Sequence, residues 1–232
     1  MTSVEEWFKN LPPITKHYFV IAVGTTILTS FGVFSPMLLI LNFDLVFYKF
    51  QIWRLITCFF FFGNFGLPFV FGVYILVKYF GLLESEYYQG ARGLADMLFI
   101  CGFGAGVMIL VAYFWEGLVL LGPAMTFMIL YIWSRKDPYR QVIIWSFRFP
   151  AWQFPFVLLV IAVIMGNSPM LDILGIAVGH LYYFLSDIVP RVYNLQLVKT
   201  PEFMYRFFET RSVAAAVGQR PWMRGQGHRL GD

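Results

Sequence analysis

The chain has 232 residues, of which 59% are hydrophobic and 13% are charged, and its mean hydropathy is +0.69. Because a soluble domain usually carries about 25% charged residues, this composition excludes an ordinary soluble protein. The 27 phenylalanines exclude a disordered chain, and we expect a small membrane protein with several spans. The two cysteines, Cys58 and Cys101, lie in apolar runs and are predicted to be buried thiols, without a disulfide or a metal site.

Six stretches of the chain contain no Asp, Glu, Lys or Arg. An α-helix needs about 20 residues to cross the hydrocarbon core, and the stretches lack the alternation of a membrane β-barrel. The predicted fold is therefore an all-α polytopic bundle of six transmembrane helices. The six predicted spans, in chain order, are Tyr18–Phe43, Leu55–Val77, Met97–Trp115, Gly117–Ser134, Phe149–Leu171 and Ile173–Ser186.

The basic residues divide unevenly between the two sides of the predicted bundle. Six spans place 15 of the 17 lysines and arginines on the side that holds both termini, and leave Lys49 and Arg54 on the other. Since cytoplasmic loops retain basic residues, we expect both termini in the cytosol. The first span follows Glu5 and Glu6 and is too long for a cleaved signal, so it is predicted to remain as a signal anchor. The scattered basic residues do not favour nucleic-acid binding.

The third, fourth and sixth spans are short, with 19, 18 and 14 residues. A short span must thin the bilayer or be shielded by neighbouring helices. One interpretation is a bundle that locally thins the membrane. The other is that Asp172 and Asp187, which bound the last span, pair or extend into the headgroup region.

The connection between the first two spans, Pro36–Arg54, is too apolar for an ordinary exposed loop. We predict an amphipathic element in the membrane interface, where Leu41, Leu45, Phe47 and Phe50 share one side. It ends at Gln51-Ile-Trp53-Arg54, where Trp53 suits the headgroup region and Arg54 needs a partner or access to water. By itself this pair is also typical of a generic interface anchor.

Five segments carry a family resemblance that covers nearly the whole chain in order: Phe50–Gly63 (FQIWRLITCFFFFG), Leu82–Phe99, Met128–Tyr139, Gly166–Pro190 and Leu197–Phe208. They resemble the Derlin family, the catalytically inactive relatives of rhomboid proteases. This resemblance implies a rhomboid-like membrane domain over residues 17–190, a cytosolic N-terminus over 1–16 and a cytosolic tail over 191–232. It also implies a role at the endoplasmic reticulum membrane in moving misfolded client proteins to the cytosol for degradation, with membrane-bound ubiquitin ligases as partners and homo-oligomers as a further expectation. Membrane distortion is expected to involve Gln51, Trp53 and Arg54.

A rhomboid protease needs a serine nucleophile on span four and a histidine base on span six. By resemblance Ala124 stands at the nucleophile position, and a methyl group cannot attack a carbonyl. His180 lies on span six, and Ser134, at the other end of span four, is predicted to be far from it. We therefore expect no proteolytic enzyme and interpret His180 either as a hydrogen-bonded relic or as a functional residue. An active protease and a small channel or transporter are the alternatives, the latter disfavoured by the lack of charges within the spans.

Gly175 and Gly179 are four residues apart and so lie on one helix face, where a second helix can approach closely. With the neighbouring His180 they form a predicted helix-packing site. Gly102 and Gly106 repeat this spacing on span three, and helix packing is again the prediction. The three histidines are far apart in sequence, so no metal and no cofactor is expected.

The tail after Pro190 is charged and is predicted to be a mostly disordered tether. Its end carries Trp222, Gly225, Gly227 and Leu230, which resemble the Derlin peptide that binds the AAA ATPase valosin-containing protein, although the tryptophan lies one position further from the glycines than usual. Glycines allow an extended strand to dock while the apolar side chains fill pockets. The alternative is an unstructured end rich in glycine and arginine.

Overall fold

Helices make up most of the chain in the computed structural model, which describes residues 4–115, 117–144, 147–164 and 166–218. Eleven α-helices and one antiparallel hairpin are described in these ranges. The helices are α1 Val4–Lys9, α2 Pro13–Ser30, α3 Phe43–Lys49, α4 Arg54–Phe60, α5 Leu67–Tyr87, α6 Gly90–Phe114, α7 Gly122–Lys136, α8 Phe154–Ile164, α9 Met170–Tyr183, α10 Val189–Tyr193 and α11 Glu202–Gly218. The hairpin consists of β1 Gln141–Ile144 and β2 Phe147–Pro150.

Three of the described helical segments are long and apolar enough to cross a membrane: Leu67–Tyr87, Gly90–Phe114 and Met170–Tyr193. A shorter apolar segment, Ala151–Ile164, combines a 3-10 turn with α8. The prediction of an all-α polytopic membrane bundle is therefore confirmed. The count of six spans stays a prediction, because α2, α7 and α8 are shorter or less apolar than a full span.

The second span does not run over Leu55–Val77 as predicted. That stretch is divided between α4 and α5, which are separated by Phe61–Gly66, where Gly63 has a φ of 93°. A left-handed backbone there interrupts the helix, and the apolar residues on either side conceal the break in sequence. The long helix instead begins at Leu67 and continues past Lys78 to Tyr87.

The third and sixth predicted spans are not short, contrary to the prediction from their uncharged lengths. The third, apart from Trp115, lies within α6, which has 25 residues, and the sixth is longer as well. Helical structure runs from Met170 through a π-helical turn at Phe184–Ile188 to Tyr193, a total of 24 residues. Asp187 does not end this helix because its carboxylate accepts from Lys136 Nζ at 3.4 Å and from the Ser186 hydroxyl at 2.8 Å. The fifth predicted span, by contrast, shortens to α8, because Phe149 and Pro150 belong to the hairpin.

Helix α7 lies at the centre of the bundle and contacts α4, α5, α6, α8 and α9. Its fifteen residues rise about 22 Å; eleven of them are buried and the other four are partly buried. The fourth predicted span is therefore short as expected, and the neighbouring helices shield its termini from lipid. Buried side chains at its core include Met125, Met128, Ile129 and Leu130.

One end of the bundle, which we call the N-terminal face, holds the start of α2 and the ends of α5 and α7. Glu84 of α5 is 2% exposed and caps α2, because its carboxylate accepts from the backbone N–H groups of Ile14 at 2.9 Å and Thr15 at 2.8 Å. The Thr15 hydroxyl donates a third hydrogen bond at 2.7 Å. A carboxylate satisfies the unpaired amides at a helix N-terminus and suits its positive partial charge. Glu84 thereby joins the first two long helices.

The chain beyond Pro190 is not a simple disordered tether. Helix α11 packs on α6 at the N-terminal face, and Asp96 Oδ1 accepts from the hydroxyls of Thr200 at 2.5 Å and Tyr205 at 2.6 Å. Burial first, and then the hydrogen bond to Asp96, raise the pKa of Tyr205. Arg92 and Glu209 add an exposed ion pair at 2.6 Å. These polar contacts are between residues far apart in sequence, so composition alone could not predict them.

Candidate functional site

The opposite end of the bundle carries the connection between α2 and α5, residues 31–66, which we call the apolar loop. Within it α3 is capped at its start by Asn42, whose side chain accepts from the Leu45 amide at 3.0 Å, and at its end by Phe50, whose φ of 52° stops the helix. Such a side-chain cap and a left-handed terminal residue are common helix boundaries. Within Pro36–Arg54 the structure thus has a 3-10 turn, Pro36–Leu38, and the short helix α3. The position of this segment in the membrane interface stays a prediction.

Arg54 organises the apolar loop from its interior. Its side chain is 3% exposed, and Nη1 donates to the carbonyls of Met37 and, at 2.8 Å, Ile40. Nε donates to Gln51 Oε1 at 2.7 Å. The partners of Arg54 are thus two carbonyls of the loop backbone and the Gln51 side chain. A role of Gln51, Trp53 and Arg54 in membrane distortion stays a prediction. Charge-assisted hydrogen bonds of this kind are stronger than neutral ones.

The apolar loop is fixed to the bundle through the end of α4. The carbonyls of Cys58 and Phe59 accept from the Leu121 amide at 2.9 Å and the Tyr18 hydroxyl at 2.6 Å. The Phe60 carbonyl accepts from the Thr25 hydroxyl at 3.0 Å. Because the last carbonyls of a helix have no partner within the helix, these donors from α2 and α7 stabilise α4 in place. The loop is a built part of the fold and not a loose connection.

Many large apolar side chains of this loop point away from the protein. Trp53 is 49% exposed and Phe50 is 77% exposed. The prediction that Leu41 and Phe47 share one side is wrong, because Leu41 is buried and Phe47 is 62% exposed. The other exposed large apolar residues in and beside the loop are Phe31, Val33, Phe34, Met37, Leu38, Tyr48, Ile52, Ile56, Phe65 and Leu67.

Gly175 and Gly179 bring α9 against α7, as predicted. A Cβ at Gly175 would lie 2.2 Å from the Ala124 carbonyl oxygen, and one at Gly179 would lie 3.0 Å from the Met128 carbonyl oxygen. Because a step of four residues along α9, from Gly175 to Gly179, corresponds to a step of four residues along α7, from Ala124 to Met128, the two helices are parallel. Their backbones approach too closely for any larger residue, which is how small residues pack membrane helices.

The second pair of glycines does not pack in this way. Gly102 and Gly106 have no atom within 4 Å of a Cβ built on them. It is Gly104, between them, that faces α7, where its Cβ would lie 2.1 Å from the Met128 sulfur. The prediction of a packing site at Gly102 and Gly106 is therefore wrong, because those residues lie on the outer side of α6.

His180 forms a hydrogen bond of 2.7 Å between Nδ1 and the Tyr131 hydroxyl. Tyr131 is nine residues into α7 and His180 is ten residues into α9, so the parallel packing places them at the same level. The prediction that His180 is far from Ser134 is therefore wrong, because Ser134 follows Tyr131 by one turn. The Ser134 hydroxyl, however, is buried and donates to the Tyr131 carbonyl at 2.7 Å.

Ala124 lies about two turns away from Tyr131 towards the start of α7, roughly 10 Å along the helix axis. It faces Gly175 and not His180. No serine, threonine or cysteine is hydrogen-bonded to His180 in the ranges that the structure describes. The arrangement at this helix pair thus packs and positions helices, and it does not contain a nucleophile next to a base.

The remaining predicted residues have other outcomes. Cys58 is buried and Cys101 is partly buried, and both are free thiols. Within the described ranges no cluster of His, Cys, Asp or Glu could hold a metal ion. The predicted tail peptide, Trp222, Gly225, Gly227 and Leu230, lies outside the described residues.

The sequence did not predict several polar contacts that stabilise the helices around the apolar loop and at the N-terminal face. At the N-terminal face Arg140 pairs with Glu86 at 2.6 Å, and this hydrogen bond raises the pKa of Arg140. Glu84 and Tyr131 were also missed. The available signal for a structural carboxylate was the position of Glu84 directly after the apolar residues Leu82 and Leu83.

The fold and these contacts define a multi-pass helical membrane protein, with a close parallel pair of helices and an apolar loop fixed by a buried arginine. The sequence model of the Der1-like family matches residues 11–202. "Derlin-2.2" of Arabidopsis thaliana is 36% identical over 225 residues, covering 92% of this chain and 91% of that protein. "Probable derlin-2 homolog" of Dictyostelium discoideum is 37% identical over 207 residues, covering 86% and 81%. "Derlin-1.1" of Zea mays is 36% identical over 208 residues, covering 89% and 85%. The chain belongs to the Der1-like family.

Proposed function

We propose that this protein acts in degradation at the endoplasmic reticulum, where it eases the passage of misfolded proteins across the membrane to the cytosol without cleaving them. The observation that carries the proposal is the apolar loop, whose exposed aromatic and aliphatic side chains are held in one arrangement by the buried Arg54. Membership of the Der1-like family supports it.

The physical barrier to such passage is the hydrocarbon core. Each backbone polar group that enters it without a partner costs several kcal/mol. A protein that makes this core locally thinner reduces the number of groups exposed at one time. The apolar loop supports this role, because side chains such as Phe50 and Phe47 can enter one leaflet from the interface and displace lipid.

A short lipid-facing helix supports the same role. Ala151–Ile164 has fourteen residues, which rise about 21 Å against a core of about 30 Å. Val160 and Ile164 are exposed along it, so the surrounding helices do not shield this segment as they shield α7. The hydrocarbon core next to this segment must become thinner to match its length. The difference between the two lengths is about 9 Å.

The lack of protease activity follows in this proposal from two features. Ala124 offers no nucleophile, and His180 is engaged with Tyr131 about two turns further along α7. The alternative of an active protease has no observation in its favour. Incubation of the purified protein with a fluorophosphonate or a model transmembrane substrate tests this: no labelling and no cleavage are expected, and either one, lost on His180→Ala, contradicts the proposal.

The force for extraction comes from outside the membrane in this proposal. With both termini in the cytosol, the tail residues Trp222, Gly225, Gly227 and Leu230 recruit a valosin-containing protein-type AAA ATPase. The packing of α11 on α6 supports this role, because it fixes the chain before the docking peptide to the bundle. A membrane ubiquitin ligase and further copies of this chain complete the proposed assembly.

Client turnover tests the role of the apolar loop. In cells that depend on this protein, Trp53→Ala combined with Arg54→Ala is expected to lengthen the half-life of a misfolded luminal client, measured by cycloheximide chase. Lys49→Ala is the matched control, because Lys49 is an exposed cation of the same loop. An unchanged half-life at equal protein abundance contradicts the proposed role of the loop.

A further inference from the structure

A groove of about 650 Å³ runs between α2 and α5 and is also lined by residues of α1 and of the α1–α2 connection. Its long walls are apolar, with Phe19 and Val23 from α2 and Val70, Val73 and Val77 from α5. Ligand pockets in proteins have volumes of roughly 300–1,000 Å³, so the groove is large enough for a small molecule. It lies away from the apolar loop's buried arginine and from the α7–α9 helix pair.

Most polar residues of the groove lie at one end. Trp7, Asn10, Lys78 and Ser85 line that end, Tyr74 lies one turn of α5 further along, and Phe69 is the lining residue of α5 furthest from Lys78. A ligand that matches this distribution has one polar head and a long apolar body. In a membrane the molecule with this shape is a phospholipid.

The length of the apolar part matches one leaflet. Nine residues of α5 separate Phe69 from Lys78, which is about 13.5 Å along a helix. The hydrocarbon core is about 30 Å thick, so one leaflet contributes about 15 Å. An acyl chain lying against Val70 and Val77 would therefore end near Phe69.

Contacts of the neighbouring residue place Lys78 at the level of the headgroups. Tyr79 packs on Trp133, with ring centroids 4.6 Å apart, and on Phe154, at 5.1 Å. Trp133 lies one turn before the end of α7, and Phe154 is the first residue of α8. Tryptophan and tyrosine at helix ends are typical of the membrane interface. The polar end of the groove is thus at the interface on the N-terminal face.

Lys78 carries the positive charge at this end of the groove and lies over two aromatic rings. Lys78 Nζ lies 5.7 Å and 5.4 Å from the ring centroids of Tyr74 and Tyr79. No carboxylate is within 4 Å of it in the part of the chain that the structure describes. A lysine ammonium at an interface binds phosphate as a point charge, and basic pockets between transmembrane helices bind anionic headgroups.

We propose that this groove binds one anionic phospholipid from the leaflet on the N-terminal face. One acyl chain lies between α2 and α5 along Val23 and Val73. The phosphate and the anionic headgroup bind Lys78, and Trp7, Asn10 and Ser85 surround them. The bound lipid covers the groove beside the direct contact that Glu84 makes with the start of α2.

Native mass spectrometry of the purified full chain tests this. The protein is titrated with phosphatidylserine and phosphatidylcholine that carry identical acyl chains, and occupancy of the first bound lipid is measured. Phosphatidylserine is expected to bind more tightly, and Lys78→Gln is expected to weaken its binding about fivefold, since a lysine near the surface contributes about 1 kcal/mol. Lys49→Gln, at the other face, is the control and is expected to leave binding unchanged.

A second pair of variants tests the apolar part of the groove. Val73→Trp fills the groove and is expected to reduce the occupancy of both lipids, whereas Leu110→Trp, on an exposed part of α6, leaves it unchanged. If Val73→Trp does not fold, Val70→Trp at the half-exposed rim replaces it. Equal binding of the two lipids by the unmodified protein, or full occupancy in both Lys78→Gln and the filled variant, overturns the proposal.

Discussion

Removal of the Arg54 guanidinium is the most informative perturbation of the apolar loop. Arg54→Met keeps an unbranched apolar stem but deletes the hydrogen bonds to the carbonyls of Met37 and Ile40 and to the Gln51 side chain. Hydrogen bonds to charged groups contribute about 1.5–3 kcal/mol each, so at the lower value the loop loses roughly 4 kcal/mol of local stability. Since 1.4 kcal/mol is a factor of ten, local opening is expected to increase about a thousandfold.

Hydrogen exchange in nanodiscs measures this opening directly. The amides of Leu41, which donates to the Val119 carbonyl, and of Thr57 report on the loop. Their exchange is expected to accelerate by at least a hundredfold in Arg54→Met, while Arg54→Lys restores part of the protection because it keeps a cationic donor. Lys49→Met is the control. If protection in Arg54→Met stays close to that of the unmodified protein, Arg54 does not hold the loop and the reasoning is refuted.

Three further perturbations address the helix pair, the N-terminal face and the tail. Gly175→Ala puts a methyl group against the Ala124 carbonyl and is expected to lower the free energy of unfolding by about 1–3 kcal/mol; thermal unfolding in detergent measures it, and an equal effect of the control Gly102→Ala would contradict the packing role. Glu84→Gln removes the charge that caps α2 and is expected to destabilise its first turn by about 1 kcal/mol; hydrogen exchange at Thr15 reports it, and Glu86→Gln should have no such effect. Leu230→Ala is expected to reduce co-purification of the AAA ATPase while Gln226→Ala does not, and full retention in Leu230→Ala excludes the tail peptide as the docking site.

The membrane class and the apolar character of the loop could be predicted because they depend on composition and on local runs of residues. The packing of Gly175 and Gly179 was also accessible, since a four-residue spacing places two glycines on one helix face. Gly102 and Gly106 show the limit of that inference. Spacing identifies a face, but the facing helix is determined by tertiary contacts, and here α7 lies against Gly104.

Helix boundaries were harder to predict from the sequence, because they too depend on more than the local run of residues. The absence of charge was used to delimit spans, yet Asp187 continues within a helix because Lys136 and Ser186 satisfy its carboxylate. Conversely, the break before Leu67 contains no charge, and its signal is the backbone conformation at Gly63. The level of His180 relative to Ser134 depended on where α7 and α9 begin, which the uncharged runs misplaced. Lys136, a partner distant in sequence, contributes to the first case, the local backbone at Gly63 determines the second, and the packing of α7 on α9 determines the third.

The thickness of the bilayer around the protein tests the central claim most directly. A cryo-electron microscopy map of the full chain in lipid nanodiscs shows the two headgroup layers on every side of the bundle. Next to the apolar loop and Ala151–Ile164 we expect the layers to approach each other by at least about 5 Å, because the helical segment rises about 21 Å against a core of about 30 Å. A uniform separation around the whole protein would contradict the account.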